Sequence, residues 1–239
     1  MKKIFLLCLC LSFAFQMQAQ GLKGLMNKAE KALKGGLSSE DAGNGLKEAL
    51  NIGVGEAVDF LSKENGYYKS PYKILLPAEA KKVTKKLGVV PGFKNAEQTV
   101  IEKINRAAED AATKAKPIFV SAIKQMTFKD AMNILMGNKD AATRYLEKST
   151  YDQLYQEFKP VIIASLDKFN ARNYWRGAVK AHNKLPLTKD INPELDDYVT
   201  KQALSGMFGL VEQKESDIRG DQSLRTTDLL KKVFAKQDK

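Results

Sequence analysis

Thiols and imidazoles are nearly missing from this chain, and their scarcity removes more chemistry than any motif adds. Both cysteines, Cys8 and Cys10, lie in an N-terminal apolar run, and His182 is the one histidine in 239 residues. Beyond that run there is no material for a disulfide, a thiolate nucleophile, Cys-ligated zinc or a His-rich metal centre. No glycine-rich phosphate loop occurs, so no cofactor is implied. No stretch alternates apolar and polar residues for long enough to build a sheet, which leaves helices as the expected structure.

What is present at the start has the layout of a cleaved export signal. Lys2 and Lys3 precede an apolar run from Ile4 to Phe15 that only Ser12 breaks, and Gln16-Met17-Gln18-Ala19 ends it on a small residue. Twelve helical residues span about 18 Å, short of a hydrocarbon core of about 30 Å. Cleavage is expected after Ala19, giving a periplasmic chain that begins at Gln20. A lipid-anchored reading is disfavoured, because Leu7 and Leu9 rather than small residues precede the two cysteines. Loss of Lys2 and Lys3 takes the net charge from +11 to +9. Outside the cytoplasm that basicity points to anionic headgroups or acidic polymers rather than nucleic acid, or simply to lysines spread for solubility.

Residues 20–36 form a separate unit. Leu22, Leu25, Met26, Ala29 and Leu33 recur at helical spacing, and Lys23, Lys28, Lys31 and Lys34, opposed only by Glu30, fill most other positions. The segment ends at Gly35-Gly36, a hinge. A basic amphipathic helix of this kind can lie weakly on an anionic membrane surface or dock loosely on the domain that follows.

Residues 37–239 read as a single all-α domain of about eight helices, two of them proline-kinked, with one extended strap. The first helix starts at Ser38 or Ser39, and Gly53 on its apolar stripe implies close packing. The aromatic segment 67–77, proline-bounded and without a helical stripe, is the strap. A short helix to Leu87 precedes a long one that starts near Pro91, with Phe93, Ile104, Ala107, Ala108 and Ala111 on its buried face, and Pro117 must kink or interrupt it. Thr127 with Asp130 marks a new start, Asp140 can cap the next helix, and Thr150 with Gln153 has the pattern of another start, ahead of Pro160. From Glu194, apolar residues on two opposite faces mark a central helix. Thr226 or Thr227 caps the last one.

The pattern Leu195-Asp196-Asp197-Tyr198-Val199-Thr200, followed by Gly206-Met207-Phe208 and by Arg225-Thr226-Thr227-Asp228-Leu229-Leu230, resembles the end of one bacterial exported family, the domain of unknown function numbered 4197. Asn105-Arg106-Ala107-Ala108-Glu109 and Asp140-Ala141-Ala142-Thr143-Arg144-Tyr145 are similar to its internal motifs. The resemblance covers roughly residues 41–235. It implies a signal-bearing, helical, periplasmic protein and brings no activity, cofactor or catalytic residue.

The candidate residues follow from position. Glu102, Arg106 and Asp110, four apart, read as a solvent-side ladder of ion pairs. Asn105 and Glu109 sit at the border of the apolar stripe, where an amide and a carboxylate either satisfy a neighbouring element or face a pocket. Asp196 and Asp197 diverge by about 100° on a helix and suit its N-terminus better than shared chemistry. Arg225 precedes a helix start that can cap itself or seat an anion. A pocket that gathers Asn105, Glu109, Arg144 or Tyr198 would favour an enzyme. The favoured reading is a non-enzymatic binding or envelope-associated module with an unknown protein or envelope partner. The alternatives are a carboxylate-dependent hydrolase using Glu109 and a carrier of an apolar ligand in an interhelical cavity.

Overall fold

A computed structural model describes residues 39–77, 96–168, 170–184, 190, 192–225 and 227–235. The export signal, the basic leading segment, the short helix to Leu87 and the start near Pro91 with Phe93 lie outside these residues. Among the described residues there are eight α-helices and no strand: α1 Ser39–Leu61, α2 Ala96–Ala112, α3 Ala115–Gln125, α4 Phe128–Leu135, α5 Ala141–Asp167, α6 Ala171–His182, α7 Leu195–Gly220 and α8 Asp228–Phe234. The chain is all-α, as its periodicity predicts.

Three long helices carry the architecture. α7 is apolar on both sides, and Leu195, Val199, Ala203, Leu204, Met207, Phe208 and Val211 are all buried. It packs on α1, α2 and antiparallel to α5, so it sits at the centre, as a helix with two apolar faces must. Phe208 anchors the centre, edge-on to Phe119 of α3 at 5.8 Å and stacked on Tyr151 of α5 at 6.4 Å. The alanines of α2, at 107, 108, 111 and 112, are fully buried, which lets α2 lie close against α5.

Local sequence sets several of the helix ends. Thr127 and Asp130 form a reciprocal capping box at the start of α4, and the Thr127 hydroxyl and backbone N–H, both donating to it, hold the Asp130 carboxyl below the usual range. Thr227 accepts from the Leu230 N–H at the start of α8. Pro117 does not kink a continuous helix. α2 stops at Ala112, and Pro117 falls in the first turn of α3, where its missing N–H has no helical partner to lose. Pro160 lies inside α5, which runs on through it.

Four expectations need correction. Thr150 does not start a helix; it is buried within α5 and its hydroxyl donates to the Leu146 carbonyl. Asp140 is the N-cap of α5 but makes no side-chain cap, and pairs instead with Arg144 at 3.3 Å. Gly53 meets α7 at ordinary contact distance, with Ile218 3.6 Å from a would-be Cβ; the tight approach is at Gly45, where Val233 of α8 stands 2.7 Å from that position. The segment 67–77 is not an extended strap throughout. Residues 62–72 are a run of turns, closed by bonds such as Lys69 N–H to Asn65 O, and only 73–77 lack regular structure. Asn65 has a positive φ of 70°, and any side chain at Gly66 would meet the Phe60 carbonyl at 2.3 Å, so the chain turns here rather than running straight.

Candidate functional site

Three of the five candidate residues converge on that turn segment. Asn105 of α2 is fully buried; its Oδ1 accepts from the Ile74 N–H at 2.8 Å, and its Nδ2 donates to the Ile74 and Ile101 carbonyls at 2.8 and 2.7 Å. One turn on, Glu109 is also buried. Its Oε1 accepts from the Tyr67 and Tyr68 N–H groups, both at 3.1 Å, and its Oε2 from Arg106 at 2.7 Å. Tyr198 of α7 donates its hydroxyl to the Leu75 carbonyl at 2.7 Å. A fourth anchor was not singled out from the sequence: Tyr67, fully buried, donates to the Ala203 carbonyl at 2.7 Å. Burial, with the charge of Glu109, pushes the Tyr67 phenol far above its ordinary range, so it stays protonated and donating.

These groups act on backbone that has no helix or sheet to satisfy it. A buried loop carries unpaired N–H and C=O groups, and each must find a partner. Asn105 supplies the donor-and-acceptor pair that a neighbouring strand would otherwise offer, and Glu109 takes two successive N–H groups on one oxygen. Both carboxylate oxygens of Glu109 are thereby engaged. Arg106 is not part of a purely solvent-side ladder. It leans inward to Glu109, pairs further with Glu64 at 3.4 Å and Glu102 at 3.9 Å, and lies 5.3 Å over the Tyr68 ring. Asp110 accepts from Ser165 at 3.3 Å.

Arg225 lies elsewhere. It is 1 % exposed and caps the end of α7, donating to the Ile218 and Arg219 carbonyls at 3.1 and 2.9 Å beside the Phe234 ring. Two buried carboxylates extend this theme beyond what sequence reasoning found. Glu215 accepts from the Ala142 and Thr143 N–H groups at the start of α5, and from Arg219, which also donates to the Ile134 carbonyl at the end of α4. Asp196 is 2 % exposed and pairs with Arg172 at 3.0 Å, while Asp197 receives the Tyr155 hydroxyl at 2.6 Å and Lys201 at 3.0 Å. The two aspartates do diverge, but each has a tertiary partner besides the helix dipole. Trp175 is buried, with its indole donating to the Asn192 carbonyl. His182 falls in the last turn of α6.

Among the described residues no buried side-chain nitrogen or oxygen lacks a hydrogen-bond partner. None of them forms a cluster of three or more His, Cys, Asp or Glu able to hold a metal ion, and no described helix is long and apolar enough to cross a membrane. The apolar cavity between α1, α7 and α8 has about 20 Å³, room for a water but not for an apolar ligand.

Arg144 faces open space. Between α5 and α7 runs a groove of about 400 Å³, lined on the α5 side by Arg144, Glu147 and Tyr151 and on the α7 side by Lys201, Ser205, Gly209 and Glu212, with Phe208 beneath. Arg144 bonds both Glu147 and Glu212, and so bridges the two walls at one end. At the other end Lys201 is tied to Asp197, and Asp197 to Tyr155.

A family model described as "protein of unknown function (DUF4197)" matches residues 36–235. No curated protein and no solved structure matches the chain. The match spans most of the chain, and the chain belongs to that family.

Proposed function

For a member of a family without an assigned activity, we propose a non-catalytic role: an exported helical module that binds an envelope partner in the groove between α5 and α7. The observation that carries this reading is the division of its polar groups. Asn105, Glu109, Tyr198 and Arg225 are engaged with the protein's own backbone, whereas the charged groups of the groove are each more than a third exposed and pair with other side chains. Interior groups held by backbone bonds stabilise the fold, and exposed groups around a concavity remain available to exchange their partners.

Export rests on the basic, apolar and small-residue order of residues 1–19. The basic segment 20–36 would add a weak, salt-screened attraction to anionic headgroups and so keep the module near a membrane surface. A photo-crosslinking residue placed at Ser205 in the groove, and for comparison at the exposed Asn51 of α1, tests the reading in cells that export the chain. Adducts with envelope material are expected from position 205 and not from position 51. Equal labelling from both positions, or none from 205, would overturn it.

A further inference from the structure

We infer that the occupant of this groove is a short neutral oligosaccharide, an assignment that rests on the binding-module reading and makes it more specific. Among the residues that line the groove the charges balance: two cations, Arg144 and Lys201, and two anions, Glu147 and Glu212. A polyanion or a polycation would meet as much repulsion as attraction there, so the groove selects against both despite the basic chain around it. What the walls do offer is donors and acceptors side by side, namely a guanidinium, an ammonium, two carboxylates and the Ser205 hydroxyl. Vicinal sugar hydroxyls each donate and accept, and charged partners make such bonds stronger. The ion pairs that now close the groove are exposed ones, with Arg144, Glu147 and Glu212 each more than a third exposed, so exchanging them for hydroxyls costs little.

An aromatic face completes the arrangement. Tyr151 lines the groove and is stacked on Phe208 at 6.4 Å with an angle of 18°, so its ring is held before any ligand arrives. A preset ring gives contact area at low entropic cost, and the apolar face of a pyranose fits it. Opposite, Ser205 is small and exposed, which keeps the α7 side low there. The volume of about 400 Å³ lies within the range of small-ligand sites. An extended peptide is a poorer fit, because two helices bond their own backbone groups and present no edge to pair with. An amphipathic partner helix is also poorer, because it needs apolar walls where this groove has charges.

Titration of the full exported chain with neutral glucose and N-acetylglucosamine di- to tetrasaccharides tests the assignment, with heparin and an uncharged glycine–serine decapeptide as rivals. At least one neutral saccharide should bind with an affinity that salt leaves unchanged, and Ser205→Trp should weaken it about tenfold or more, with Ser205→Ala near wild type. If Ser205→Trp melts far below the wild type, Lys201→Ala reads the same wall. Binding of heparin or the decapeptide alone, no saccharide binding at all, or saccharide binding indifferent to these substitutions would overturn the assignment. If saccharides fail but the Ser205 crosslinks form, the glycan assignment falls and the binding module stands; if both fail, both fall.

Discussion

Glu215 caps a helix to which it does not belong, accepting the Thr143 N–H at 2.8 Å and the Thr143 hydroxyl at 2.8 Å across 72 positions of sequence. The start of α5 therefore has its donors satisfied by α7, and the two helices that wall the groove are locked in register at one end. Arg219 and Arg225 continue the chain of contacts to the ends of α4 and α7.

Replacing Glu215 by alanine should destabilise the protein by about 3 kcal/mol, because it strips two buried N–H groups of their acceptor and takes the carboxylate from Arg219. Glu212→Ala, which removes an exposed partner of Arg144 one turn away, should cost no more than about 0.5 kcal/mol. Denaturant midpoints for the two variants would measure the contrast. Equal midpoints would show that the cap contributes nothing.

Asn105→Ala and Glu109→Ala should each cost about 1–3 kcal/mol, since each leaves buried loop backbone unsatisfied. Because both hold the one segment, their effects should not add: once the loop is loosened at 67–68, less remains to be lost at 74. Glu102→Ala is the exposed comparison. Wild-type midpoints in both single variants would reject the structural role and return the pair to consideration as a site.

Acid should weaken the seam between α5 and α7. Burial pushes the Asp197 carboxyl up, but the bonds from Tyr155 and Lys201 and the charges of Lys201 and Lys159 outweigh it and hold the group below the usual range. A carboxyl depressed in the folded state contributes stability above its unfolded pKa of about 3.9, and that contribution is lost as pH falls through the lower folded value. Asp197→Asn should therefore lie below the wild type in melting temperature at neutral pH and approach it as pH drops below about 4. A gap that stays constant with pH would exclude this linkage.

Export should remove residues 1–19 and with them both cysteines. Protein recovered from outside the cytoplasm should have the mass of a chain that starts at Gln20 and show no reactive thiol. A retained signal, or a lipid on Cys8 or Cys10, would refute the assignment of compartment.

Much of the fold was legible because helical periodicity is local. The two apolar faces of the helix from Glu194 announced a central position, and Thr127 with Asp130 announced a capping box, since both signals lie within a few residues of the feature they cause. The segment 67–77 was legible as irregular but not as turned, because prolines at its ends say nothing of the Gly66 turn or of the helix groups that hold it. Asn105 and Glu109 could be marked as residues at a core edge. Their partners could not, since spacing along α2 carries no information about a loop some 30 to 40 positions earlier.

Sequence by itself determined the helical class, the confinement of both cysteines to the first ten residues and the family motifs, because composition and short-range pattern suffice for each. Tertiary structure decided which charges face inward and which outward. Arg225 and Arg144 were both candidate ligand contacts in the sequence, yet one is buried against the carbonyls that end α7 and the other stands over an open groove. The reason is physical: a charge takes its role from the groups it meets, and those groups arrive from distant parts of the chain only when the helices pack.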